Sequence, residues 1–219
     1  MTALILSAIL VPGQVDAEDR LGKTPAQIVA MGYDKWYDLY SGKNGESTQG
    51  MAGANRVYAN AVSVVTDQKM KSLPAPRQKE LKWLRAEMLQ AKQEAVEAGI
   101  ALTGGGTLWV ITESSFEVEA QLTIADLVAM PQKPKTSTQA RFWAAAKRAD
   151  AAIRENEASI NEFAGQNGPT AKEAAAKVAS ICTRFDNAAK RIKTWPAAER
   201  GRVIWFYVSI METVNLESL

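Results

Sequence analysis

Between Leu81 and Leu102 the apolar residues Leu81, Leu84, Met88, Ala91, Ala95, Ala98 and Leu102 recur at spacings of three and four. That period places all of them on one stripe of an α-helix, whereas a strand would divide them between the two faces of a sheet. The other faces of the segment carry Lys79, Glu80, Arg85, Glu87, Lys92, Glu94 and Glu97, so the helix is amphipathic and its stripe must pack on something apolar.

The pattern repeats along the chain. Met51, Ala54, Tyr58, Ala61 and Val65 share a face over residues 47–70, and Phe142, Ala146, Ala149, Ile153, Asn156, Ile160 and Phe163 do so over 137–163. Ala171, Ala174, Val178, Ile181, Phe185, Ala188, Ile192 and Trp195 form a further stripe. Several such seams predict an all-α fold, a bundle of about six to seven helices packed at shallow angles, with the many seam alanines letting helix axes approach closely. Asn156 is a polar group in an apolar seam, a position that fixes helix register.

Breaks are marked by proline and glycine. Thr24 before Pro25, with Gln27 three residues beyond the threonine, is an N-terminal capping signature for a helix running to about Tyr40, ended by a loop over 41–45. Leu73-Pro74-Ala75-Pro76 separates the second helix from the third. The short connection over 165–169 predicts an antiparallel hairpin of the fifth and sixth helices. After Pro196, the run Val203 to Met211 is apolar on all sides, which suits a central core helix.

Residues 107–124 fit two patterns. Phe116, Val118, Ala120, Leu122 and Ile124 alternate with Glu117, Glu119, Gln121 and Thr123, which is the strand signal and allows a short β-hairpin. Ile111, Ser115, Val118, Leu122 and Ala125 equally form one helical face. An isolated two-stranded ribbon is marginal, so helix is the expectation.

The 26 basic and 24 acidic residues are interspersed, leaving a net charge of +2 and no basic groove of the kind nucleic acid requires. Histidine is absent altogether, which removes Ser-His-Asp and Cys-His nucleophile systems and HExxH zinc sites. The single cysteine, Cys182, lies in an apolar stripe and reads as a buried inert thiol. No stretch approaches the roughly 20 apolar residues of a transmembrane helix. Ala3 to Val11 is a shorter apolar run, followed by Val15-Asp16-Ala17 with small residues at the cleavage-determining positions. Residues 1–17 therefore read as a signal peptide cut after Ala17 and 18–219 as a single helical-bundle domain, periplasmic or secreted. The alternative is a cytoplasmic protein whose N-terminal segment docks on the core.

Tyr33, Trp36, Tyr37 and Tyr40 gather on one helix and make a candidate ligand-binding platform, since aromatic rings with polar edges suit sugars, peptides or apolar ligands. Asp34 and Asp38 sit one turn apart on the same helix as weak metal candidates. Their DxxxD spacing resembles the aspartate motif of all-helical isoprenoid synthases over five residues, without a matching second aspartate pair; Glu113 and Glu117 substitute for one poorly. A solvated acidic face balanced by Lys35 is the simpler reading. The glycines in Thr103-Gly104-Gly105-Gly106-Thr107 read as a helix stop, because neither phosphate-loop pattern is present.

The function expected from these features is non-catalytic: an exported bundle that binds a partner protein or ligand, or is structural in an envelope assembly, with no cofactor. The alternative is a small histidine-free enzyme or a lipid or isoprenoid-type carrier, with a pocket between helices near Tyr33, Trp36, Asp34 and Asp38.

Overall fold

A computed structural model describes residues 20–44, 47–165 and 168–214. Among the described residues the chain forms nine helices and no strand. They are α1 (Pro25–Met31), α2 (Tyr33–Asn44), α3 (Thr48–Met70), α4 (Ala75–Thr103), α5 (Leu108–Val128), α6 (Gln139–Glu155), α7 (Glu157–Ala164), α8 (Ala171–Arg191) and α9 (Ala197–Val214). The expected leader, 1–17, lies outside the described residues.

The count exceeds six to seven because two expected helices are each broken once. The first is interrupted at Gly32, whose φ of 84° closes α1; α2 then continues through Asn44 into the expected loop. The second break is at Asn156, which is exposed rather than buried in a seam and caps α6. Its side-chain amide donates to the Ala152 carbonyl at 2.9 Å, so the side chain takes up a carbonyl at the end of α6.

Thr24 does form the reciprocal capping box with Gln27, and Thr170 forms another with Glu173 at the start of α8. Gly104, Gly105 and Gly106 all adopt positive φ after α4, and the amides of Gly104 and Gly105 both donate back to the Ile100 carbonyl. The triple glycine is thus a helix stop whose first two N–H groups are occupied.

The possible hairpin at 107–124 is replaced by α5, and the alternation that suggested it has a helical cause. Phe116, Ala120, Ile124 and Leu127 belong to one apolar core, while Val118, with Leu122 and Ala125 beside it, belongs to a second. Two stripes at helical spacing, offset by two residues, sum to an apolar residue at every second position. α5 shows no single apolar side because it is sandwiched: α3 packs on it in one core, α4 and α9 in the other.

The larger core joins α4, α5, α6, α8 and α9, with α9 in contact with the other four. Val203, Phe206, Tyr207, Val208, Ile210 and Met211 of α9 are all buried, as expected for a helix apolar all round. The smaller core holds α1, α2 and α3 against α5 through Ile28, Trp36, Tyr58 and Val62. Phe142 early in α6 meets Phe185 late in α8, which makes those two helices antiparallel.

Charged groups fasten the helices to one another. Arg202 of α9 is almost wholly buried and reaches Glu119 at 2.7 Å and Asp126 at 2.6 Å on α5. Arg184 of α8 reaches Glu87 at 2.7 Å and Glu94 at 3.1 Å on α4. No helix among the described residues is long and apolar enough to cross a membrane.

Candidate functional site

Trp36 is fully buried, and its indole Nε1–H donates to the Ala54 carbonyl at 2.9 Å, so the ring is a wedge between α2 and α3. Tyr40 is also buried. It lies so close to Gly53 that a Cβ there would come within 2.9 Å of the tyrosine oxygen, which explains a glycine inside α3. These two aromatics fill space between helices.

Tyr33 and Tyr37 are half-buried with ring centroids 5.8 Å apart, and Tyr58 stands edge-on to Tyr33 at 5.4 Å. The Tyr33 hydroxyl donates to Asn55 Oδ1 at 2.6 Å; Asn55 Nδ2 in turn donates to Ser114 Oγ at 3.0 Å and Ser115 Oγ at 3.1 Å. Asn55 is buried, so this chain ties α2 through α3 to α5 with its polar atoms satisfied. Burial, then Tyr37 and the Asp34 charge, raise the Tyr33 hydroxyl above the usual tyrosine range; burial and then Asp34 do the same for Tyr58. Both stay neutral at physiological pH.

Asp34 and Asp38 are exposed, one turn apart. Glu113 and Glu117 point elsewhere, to the buried Lys92 of α4, at 3.4 and 3.6 Å. Among the described residues no three His, Cys, Asp or Glu side chains converge as metal ligands would.

A concave surface lies on the other core, between α6 and α8. This open groove of about 390 Å³ is lined by exposed Trp143 and Ala179, buried Ala146 and Val178, and Cys182. Lys147 and Asp150 stand at its edge. Trp143 is 41% exposed, although its ring rests edge-on against Phe142 at 5.1 Å and Phe185 at 5.7 Å. The core behind the groove is therefore stacked aromatic rings, a firm backing for an exposed apolar surface. The sequence carried only a weak signal of it: Trp143 follows the seam residue Phe142 directly and so falls off the seam, and a single apolar residue on a helix surface is ordinary.

Burial, then the charges of Asp186 and Asp150, push the Cys182 thiol up to about 11. The expected inert thiol has that chemistry, though it is half-buried rather than fully enclosed.

No protein-family model, no curated protein and no solved structure matches this chain.

Proposed function

We propose that this chain is an exported, non-catalytic helical-bundle protein that binds a partner protein through the groove between α6 and α8, the groove receiving an apolar side chain that projects from the partner. The observation that carries the reading is Trp143: a large ring held 41% exposed beside a small-residue lining, on an aromatic backing that fixes it. An apolar centre with Lys147 and Asp150 at the rim has the anatomy of a protein interface, in which a buried aromatic anchor supplies much of the affinity. The carrier reading near Tyr33, Trp36, Asp34 and Asp38 has less support, since Trp36 and Tyr40 occupy the space a ligand would need.

A photo-crosslinking amino acid at Trp143, in cells that make the protein naturally, tests this. One discrete adduct is expected, lost when Ala179→Glu places a charge on the exposed lining of the groove and absent when the crosslinker replaces exposed Lys190. Adducts of equal yield at both positions, or an adduct indifferent to Ala179→Glu, would overturn the proposal.

A further inference from the structure

A second cleft, of about 450 Å³, opens between the end of α3 and the first half of α4 and is lined by three cations, Lys71, Lys82 and Arg85, and one carboxylate, Asp67. Its volume falls in the range of small-molecule clefts. Met70 and Leu89 give it an apolar side.

Arg85 is the informative residue. Its Nη1 donates to Asp67 Oδ1 at 2.7 Å, which engages one corner of the guanidinium. Nε and Nη2 find no acceptor among the described residues and are closed off from solvent. These two nitrogens share one edge of the guanidinium, the fork whose parallel N–H groups match two oxygens of a single carboxylate or phosphate. Leaving charged donors without an acceptor and away from water is costly, so such an edge calls for an oxyanion. The side chain keeps 14% of its surface accessible where it lines the cleft, so gripping an anion there requires its long stem to turn the fork toward the opening. Lys71 and Lys82 are exposed and have no carboxylate partner among the described residues, so the field in the cleft is positive once Asp67 is neutralised by Arg85.

We infer that this cleft binds a small amphipathic oxyanion, with Arg85 gripping a carboxylate or phosphate head, Lys71 and Lys82 adding charge, and Met70 and Leu89 receiving an apolar tail. This site is independent of the α6–α8 groove, and either reading survives failure of the other.

Octanoate is the probe, titrated into the full chain and followed by amide NMR shifts and calorimetry. Saturable shifts are expected over residues 67–71 and 78–89. Acetate, lacking the tail, and octan-1-ol, lacking the charge, should each bind about tenfold or more weakly, and Arg85→Gln should lower octanoate affinity at least about tenfold. A Lys71→Gln, Lys82→Gln double variant changes only exposed side chains and should lose roughly two- to fivefold. The inference is overturned by the absence of saturable shifts, by octanol binding as well as octanoate, or by a folded Arg85→Gln with unchanged affinity. Should Arg85→Gln misfold, unchanged affinity in the double lysine variant overturns it equally.

Discussion

Phe142 of α6 and Phe185 of α8 stack with ring centroids 3.7 Å apart and planes 22° from parallel. Tyr207 of α9 stands edge-on to both, at 6.3 and 5.5 Å, so three helices meet in one layer of rings. Phe185 is 1% exposed and packed face-on against Phe142, so removing its ring opens a cavity in that layer. Phe185→Ala should therefore cost about 3 to 5 kcal/mol of stability in urea denaturation. Lys190→Ala, at an exposed position of the same helix, should change it by less than about 0.5 kcal/mol. Equal effects would mean that the ring does not fill this seam.

The stripe of α8 was legible because that helix packs one face inward, and every seam residue named for it is buried. Where one-sidedness fails, the pattern misleads, as at α5 between two cores. The breaks at Gly32 and Asn156 escaped for a related reason: residues continue at helical spacing across each, so periodicity carries the eye past a cap made by one local conformation or one side-chain hydrogen bond. The tyrosine helix was legible as an aromatic cluster, but not which rings point inward, since that depends on the glycine and asparagine that α3 sets opposite them.

Gly99 shows the same dependence on a distant partner. A glycine inside a long helix reads as a weak point, yet Trp109 of α5 lies directly against it, where a Cβ would collide with the indole ring. Trp109 is buried and its Nε1–H donates to Thr103 Oγ1 at 2.7 Å, so the ring has little room to withdraw. Helix propensity alone makes Gly99→Ala stabilising by up to about 1 kcal/mol. Overpacking should reverse the sign and leave a net loss of about 1 to 3 kcal/mol, with perturbed indole fluorescence. A stabilised variant would show that the two helices separate easily.

Arg202 offers a test of the charged fastenings. Arg202→Met leaves Glu119 and Asp126 without their buried cation, with only the exposed Lys135 remaining 3.9 Å from Glu119, and removing one side of a buried ion pair typically costs about 3 to 5 kcal/mol. Adding Glu119→Gln and Asp126→Asn to that variant should recover a substantial part of the loss. Triple-variant stability equal to the sum of the separate losses would mean the three groups do not act as a unit.

Export makes a prediction at the other end of the chain. Mass spectrometry of protein isolated from its natural source should find Glu18 as the first residue, because the small residues at positions 15 and 17 frame the expected cut. Native protein that retains Met1 would remove the export half of the proposed function while leaving the groove untouched.

Cys182 reports on the groove from within. Burial raises its pKa first and the negative charges of Asp186, on the same helix, and Asp150, across the groove on α6, raise it further, to about 11 from an ordinary 9.0. The thiolate is the reacting form, so at pH 8 roughly one thiol in a thousand is reactive instead of about one in ten. Alkylation by iodoacetamide in the folded protein should be about a hundredfold slower than for an unfolded chain at pH 8, rising close to tenfold per pH unit until about pH 11. The sign for stability follows: the pKa is raised in the folded state, so the contribution of the neutral thiol is complete below the unfolded value and is lost as pH rises from about 9 towards 11. Wild type should lose stability relative to Cys182→Ala across that interval, a comparison in which every other titrating group is common to both proteins. A partner seated in the groove should slow alkylation further at every pH, whereas a folded-state rate at pH 8 equal to that of the unfolded chain would show that Cys182 is not enclosed between α6 and α8.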